Sequence, residues 1–398
     1  MPGTSRGLRR EFLRRGALAV AAFAAATLGF GDGQSQAQEK QLIAKWLDGK
    51  VKANFPKITY DGPPITVRYS SFVAPNSALV KTADVAFKRL EEASNGKLIW
   101  KPFWGNTLSN AQRGAFESIA GGVADAGQAY VVFNPGGFTT HLAMAVPFVF
   151  ESSSDASWAA MEQYPKYLKK EYEAKGVYML RLSTTPPQQI LTRKPIEKLE
   201  DLKGTKIWVP GGFFLDLVKQ LGMVGAPLQT TEAYLAYQNG VVDALLTHDA
   251  GLRQFRFAEI VKFRAETKIA VTNTEHAINK AFFDKLPKDL KQLLVHWAQL
   301  WNQVEIELYF HDEAKAALAE LDSKGIKSTK IAGAERDKWR STALPAVDTF
   351  LAGLEAKGAP AKQFYADIQA SAAKWRTKSA DDITKQLLDK PLSGIVDF

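Results

Sequence analysis

Five histidines, His141, His248, His276, His296 and His311, are the residues best suited to metal or proton chemistry, and their spacing argues against both. No two stand four apart around a glutamate and the chain has no cysteine, so neither a zinc site nor a thiol nucleophile is signalled. No serine elbow, phosphate-binding loop or G-x-G-x-x-G turn opens a helix after a strand-like run. Thr247-His248-Asp249 is the one triad-like neighbourhood, and adjacent residues at a strand end point apart. Nothing calls for a metal or a cofactor. Noncovalent chemistry is better supported. Lys206-Ile-Trp-Val209 is a strand-forming run that breaks at Pro210-Gly211-Gly212 before a helix-period segment. Strand, glycine turn and helix together present backbone N–H groups to a ligand. Trp208 adds a broad apolar face and a single N–H donor, which suits stacking, an apolar group or a cation better than a bare carboxylate.

These residues need elements to hold them. Ile65-Thr-Val-Arg-Tyr69 alternates as a strand, and Leu79, Ala83, Ala86, Phe87 and Leu90 follow at helical spacing up to Asn95-Gly96. Leu98–Phe103 predicts a second strand, Gln112–Ala120 a second helix and Ala124–Tyr130 a third strand, a parallel βαβ rhythm. Tyr178–Leu182 should then cross to a second domain with strands at Gln188–Thr192, Lys206–Val209 and Ala244–Thr247. The chain should return near Lys268–Thr272. Within that domain Thr230 or Thr231 is the expected N-cap of a helix ending at Asn239-Gly240. A long helical pattern runs from Leu286 to about Leu321.

Before the first strand lies a different kind of segment. Arg9-Arg10-Glu-Phe-Leu-Arg14 precedes an apolar run from Gly16 to Phe30, and Ser35-Gln-Ala37 places small residues where a signal peptidase reads. Residues 1–37 therefore predict a cleaved leader, of twin-arginine type rather than general secretory type. It carries five arginines against Glu11 and Asp32, so a chain starting at residue 38 has a formal charge of +6 where the full chain has +9. That excess is spread along the sequence, which excludes a nucleic-acid stripe or a polybasic membrane patch. With 46% hydrophobic residues the chain can bury two cores of ordinary size.

The ordered set of motifs resembles a known family. Glu200-Asp-Leu-Lys-Gly-Thr-Lys-Ile-Trp-Val-Pro210, Leu221-Gly222 and Glu232-Ala-Tyr-Leu-Ala-Tyr-Gln-Asn-Gly-Val-Val-Asp-Ala-Leu-Leu-Thr-His-Asp249 carry the resemblance. It extends to Phe87–Lys97, Gly122–Asp125, the Val146–Phe150 loop and Asn279–Asp289. Together, from about Ile65 to Leu318, they are similar to the dicarboxylate-binding type of periplasmic solute-binding protein in TRAP transporters, the tripartite ATP-independent periplasmic systems. The resemblance implies an α/β, two-domain periplasmic-binding-protein fold, each domain a mostly parallel sheet flanked by helices, with a long bracing helix. It places a lead-in at residues 38–63, a first domain at 64–182 plus 268–320, a second at 183–267, and C-terminal helices over 321–398 packing on the outside.

What the resemblance implies for function is a periplasmic receptor, a monomer or weak dimer. It would capture a small organic solute in an interdomain cleft and deliver it to TRAP permease membrane subunits, without catalysis. Where most relatives hold a carboxylate-gripping arginine, this chain has Trp208, which points to an organic acid with an aromatic or alkyl part. Counting along the motifs adds Tyr130, Phe72, Gln188, Phe213, Thr247 and His248 to the expected wall. A carboxylate would then be held by backbone N–H groups at Gly211-Gly212, or by Arg68, Arg113 or Arg193. Trp208→Ala is expected to remove affinity and leave the empty protein folded. The alternatives are a solute-sensing partner of a membrane receptor, or a hydrolase.

Overall fold

The computed structural model describes residues 41–397, so the leader expected over 1–37 lies outside the described residues. Strand β1 (Ile65–Ser70) pairs in parallel with β2 (Leu98–Phe103), from Ile65 opposite Leu98 to Ser70 opposite Phe103. The helix between them, Ala78–Ala93, is capped by Ser77, whose side chain accepts from Val80 N. Its apolar positions, Leu79, Val80, Ala83, Ala86, Phe87 and Leu90, are all buried. Asn95 and Gly96 end it with φ of 54° and 74°. Strand β3 (Ala126–Gln128) lies on the other side of β1, and Gly127 is required there because a Cβ would stand 2.8 Å from Ser70 O. β4 (Val177–Thr184) is buried along its whole length.

The chain then enters a second sheet with β5 (Gln189–Thr192), β6 (Lys206–Val209), β7 (Val224–Pro227), β8 (Ala244–Thr247) and β9 (Phe263–Glu266). It returns to the first sheet as β10 (Asn273–Asn279). The first sheet has the order β2-β1-β3-β10-β4, with β10 antiparallel to both neighbours. In the second sheet, β5 is antiparallel to β8 and β9. Each sheet is thus parallel apart from one reversed strand, and the reversed strand is the one by which the chain has just crossed over.

The C-terminal segment 321–398 is not helical throughout, which corrects the expectation. β11 (Lys327–Lys330) joins the second sheet at its edge, parallel to β9. Its sequence, Lys-Ser-Thr-Lys, has no apolar alternation to announce a strand, and lysines at a sheet edge are what keep such an edge from pairing further. The helices Gly333–Glu355, Ala361–Arg376 and Ala380–Asp389 follow. The last two pack on Ser153–Tyr167 and on the lead-in helix Leu42–Leu47, so the segment before β1 is clamped by the chain's end.

The long helical pattern is real and continuous from Lys288 to Ser323, with a π-helical stretch at Glu305–His311 in its middle. Its first part is buried from Leu293 through Val304 in the core of the first lobe, where Trp297 Nε1 donates to Ala86 O at 2.8 Å. Its last part buries Ala317 and Leu321 in the core of the second lobe with Tyr237, Leu245 and Phe257. One helix therefore braces both sheets, and its irregular turn lies between them.

Candidate functional site

Two short crossovers join the lobes, residues 185–188 after β4 and residues 267–272 after β9. They are tied to each other. Thr185 N donates to Thr272 O at 2.8 Å, Gln188 N to Ala270 O at 2.7 Å and Ile269 N to Gln188 O at 3.1 Å. The Val146–Phe150 loop leans on the same place, with Phe148 N donating to Ile269 O at 2.8 Å while Phe148 itself has φ of 60°. A bulky residue in the left-handed region is strained, and strain of this kind gathers where a chain bends in function.

Between the lobes lies a cavity with ≈ 600 Å³ of space not filled by protein atoms, part of it open to solvent. Phe72 and Tyr130 come from the first lobe, Gln188 from the crossover, and Trp208, Thr247 and His248 from strand ends of the second lobe; all six line this cavity. Strand C-terminal ends point into it because parallel β-strands deliver their loops to one edge. The lobes touch across it: Gln112 Nε2 of the first donates to Thr230 Oγ1 of the second at 3.3 Å. Thr230 is free for this because Gln229, not Thr230 or Thr231, caps the helix, exchanging bonds with Glu232.

Phe213 does not reach this cavity. Gly211 and Gly212, with φ of 115° and 58°, turn the chain so that Phe213 opens the helix Phe213–Gln220. Its ring stacks on Phe350 at 4.2 Å and lines a neighbouring cavity with Gly212, His141 and Asn273, which meets the first at Thr272. The three arginines suggested as carboxylate holders are elsewhere too. Arg68 is locked on Asp125 at 2.9 and 2.7 Å, Arg193 lies 4.2 Å over the Tyr237 ring, and Arg113 is exposed. Among the described residues, no lysine or arginine lines the interlobe cavity.

The polar groups on its wall are neutral or already paired. Trp208 gives its indole proton to Leu228 O at 3.0 Å and is 4% exposed, so it is both wall and core. The Tyr130 hydroxyl accepts from Gln128 Nε2 at 2.9 Å, which leaves its own proton for the cavity, and burial pushes its pKa well up so that the proton stays. His248 Nδ1 accepts from Gly251 N at 3.2 Å, so the ring proton sits on Nε2. Burial lowers the His248 pKa to about 3, and the ring is neutral. Gln188 Nε2 donates to Thr272 Oγ1 at 2.6 Å.

Beneath the wall is a group that sequence reasoning missed. Glu305, at the start of the π-helical stretch, lines the cavity and pairs with Arg181, which is fully buried on β4. The guanidinium lies 3.9 Å over the Trp301 ring and also donates to Ser183 Oγ and Asn302 Oδ1, each at 3.1 Å. It further donates to His276 Nε2 at 2.7 Å, and His276 Nδ1 meets Tyr69 OH at 2.7 Å. Burial and then the neighbouring guanidinium lower the His276 pKa, so the ring accepts from Arg181 and donates to Tyr69. The signal was available: an arginine inside the otherwise apolar run Tyr178–Leu182 and a glutamate on the apolar stripe of a long helix are buried charges, and buried charges are paired.

The family model of bacterial extracellular solute-binding protein, family 7, matches residues 69–353. A 2,3-diketo-L-gulonate-binding periplasmic protein of Escherichia coli is 27% identical over 228 residues, 57% of this chain and 69% of that one. A C4-dicarboxylate-binding periplasmic protein of Rhodobacter capsulatus is 22% identical over 290 residues, 72% of this chain and 86% of its own. Among solved structures, a TRAP periplasmic solute-binding protein of Bordetella bronchiseptica with bound (R)- and (S)-mandelate aligns with a TM-score of 0.69 at 25% identity. It covers 78% of this chain and 99% of that one. One from Desulfovibrio salexigens, in an open complex, gives 0.70 at 25% identity over 79% and 98%.

Proposed function

The chain belongs to the bacterial extracellular solute-binding proteins of family 7, and from that membership we propose how it works as a receptor of a TRAP transporter. It captures a small organic acid with an aromatic or alkyl part in the interlobe cavity, holds it without chemical change, and hands it to permease subunits in the membrane from the periplasmic side. The names of its relatives support an acid: a diketogulonate, C4-dicarboxylates and mandelate. Among the described residues no helix is long and apolar enough to cross a membrane.

The observation that carries the reading is the wall itself. Phe72, Tyr130, Trp208 and Phe310 surround the space with rings, while the polar groups beside them are neutral apart from Glu305, which is paired with Arg181. Such a wall stacks and desolvates an apolar body. A single carboxylate is met by neutral donors, the Nε2–H of His248 and the Tyr130 hydroxyl, in place of a guanidinium. Closure is a hinge motion about the paired crossovers, and the Gln112–Thr230 bond is one of the contacts it makes.

A thermal-shift screen of the chain from residue 38 tests this, with monocarboxylates, dicarboxylates and neutral aromatic compounds as separate panels. A solute at about a hundred times its dissociation constant adds roughly 2.7 kcal/mol and raises the midpoint by several degrees. Aromatic or alkyl monocarboxylates should do so and be recovered unchanged. Turnover of any of them, or silence of all panels, would count against the reading.

A further inference from the structure

Two buried amides flank the cavity, and each is held in the same way. Gln188 is 3% exposed and Gln112 is 2% exposed. Each anchors its nitrogen on a threonine of the cavity wall, Gln188 Nε2 on Thr272 at 2.6 Å and Gln112 Nε2 on Thr230 at 3.3 Å. In both, the amide oxygen is buried with no donor within reach among the described residues. A buried oxygen that gives up its water without gaining a donor is costly, and native proteins leave few of them. For Gln188, a wall residue, whatever fills the cavity is the donor at hand.

The charge around them points the same way. Glu305 lines the cavity, and the cation paired with it, Arg181, is not a lining residue and is already engaged with Glu305, Ser183, Asn302 and His276. A solute carboxylate arriving at this floor would meet an acceptor and a negative group with no cation to spare, which an enclosed site does not tolerate.

We infer that the cavity reads an uncharged hydrogen-bond donor on the solute, a hydroxyl or N–H, through Gln188 Oε1, and that it admits one carboxylate but not two. The inference rests on the receptor reading above and narrows it to donor-bearing monoacids. Dicarboxylates, the ligands named for one relative, are excluded here by chemistry.

The test uses the full mature chain from residue 38 and matched compounds on phenyl, cyclohexyl and isobutyl scaffolds. On phenyl these are mandelate, phenylacetate, which lacks the hydroxyl, mandelamide, which lacks the charge, and phenylmalonate, which has a second carboxylate. Dissociation constants come from isothermal titration. On the scaffold that binds best, the hydroxy acid should bind about tenfold or more tightly than its deoxy partner. The dicarboxylate should show no binding, and the hydroxy amide should keep the hydroxyl's advantage. Gln188→Met should then reduce the hydroxyl's advantage to within about twofold. The wild-type ranking is decisive even where that variant fails to fold. A deoxy acid or a dicarboxylate that binds as tightly as the hydroxy acid overturns the inference and leaves the receptor reading intact; a water bridging to Gln188 would give that result. Silence of every compound on every scaffold overturns both.

Discussion

The indole nitrogen of Trp208 donates to the carbonyl oxygen of Leu228 across 3.0 Å, joining the end of β6 to the chain just after β7. Trp208 thus spends its single proton inside the protein. Its ring also packs near Phe257, with centroids 6.4 Å apart. Trp208→Ala is therefore expected to cost about 3–5 kcal/mol of stability besides affinity, so the empty protein is not left untouched. Trp208→Phe keeps most of the packing but strands the Leu228 oxygen, at about 1–3 kcal/mol. Urea unfolding of both variants checks this, and an alanine variant as stable as wild type would contradict the dual role.

Removing Arg181 alone leaves Glu305 charged and buried. Arg181→Met should destabilise by about 3–5 kcal/mol, while Arg181→Met with Glu305→Leu should recover most of the loss. A double-mutant cycle in urea measures the coupling. Additive losses would mean that the pair is not the unit described.

The Gln112–Thr230 bond spans the two lobes, so a hinge opening would break it. Thr230→Val keeps the shape and removes the acceptor, so it should weaken solute binding by about tenfold while moving the urea midpoint little. Solution scattering of the empty variant should show a larger radius than wild type. An unchanged radius and affinity would mean that this contact does not bias closure.

Stability should fall on mild acidification. Burial holds His248, His276 and His296 below the ordinary value of 6.5, His248 at about 3. Below pH 6.5 the unfolded chain takes up protons that the folded chain refuses, so these groups lower stability as pH drops. Glu307 acts in the opposite sense. Burial raises it from 4.5 to about 7, so between those values the folded chain keeps a proton that the unfolded chain releases. With three histidines against one carboxyl, the unfolded chain takes up more protons than the folded chain between about pH 6 and 5, so stability falls there as pH drops. Urea unfolding at pH 7, 6 and 5 reads the slope, and a flat or rising profile would contradict these assignments.

Much of the fold was legible because its signals are local. The apolar spacing from Leu79 to Leu90 and Asn95-Gly96 mark one helix, and Lys206–Val209 with Pro210-Gly211-Gly212 marks the turn at the cavity's edge. β11 was not legible, since an exposed edge strand of lysine, serine and threonine carries no hydrophobic pattern. Of the expected wall residues, Phe213 went elsewhere because two positive φ angles aim it away, and dihedrals are not written in residue types. The Arg181–Glu305 pair joins residues far apart in sequence, so only tertiary packing could reveal who neutralises whom.

The most direct test of a receptor that holds its solute in the interlobe cavity is to plug that cavity. Thr247, at the end of β8, lines it, and Thr247→Trp should fill the space. Isothermal titration with the tightest compound of the matched panel, mandelate first, should give one solute per wild-type chain, recovered unchanged, and no detectable heat with a plugged variant of wild-type secondary structure. Undiminished binding to the plugged chain would place the solute elsewhere and contradict the account.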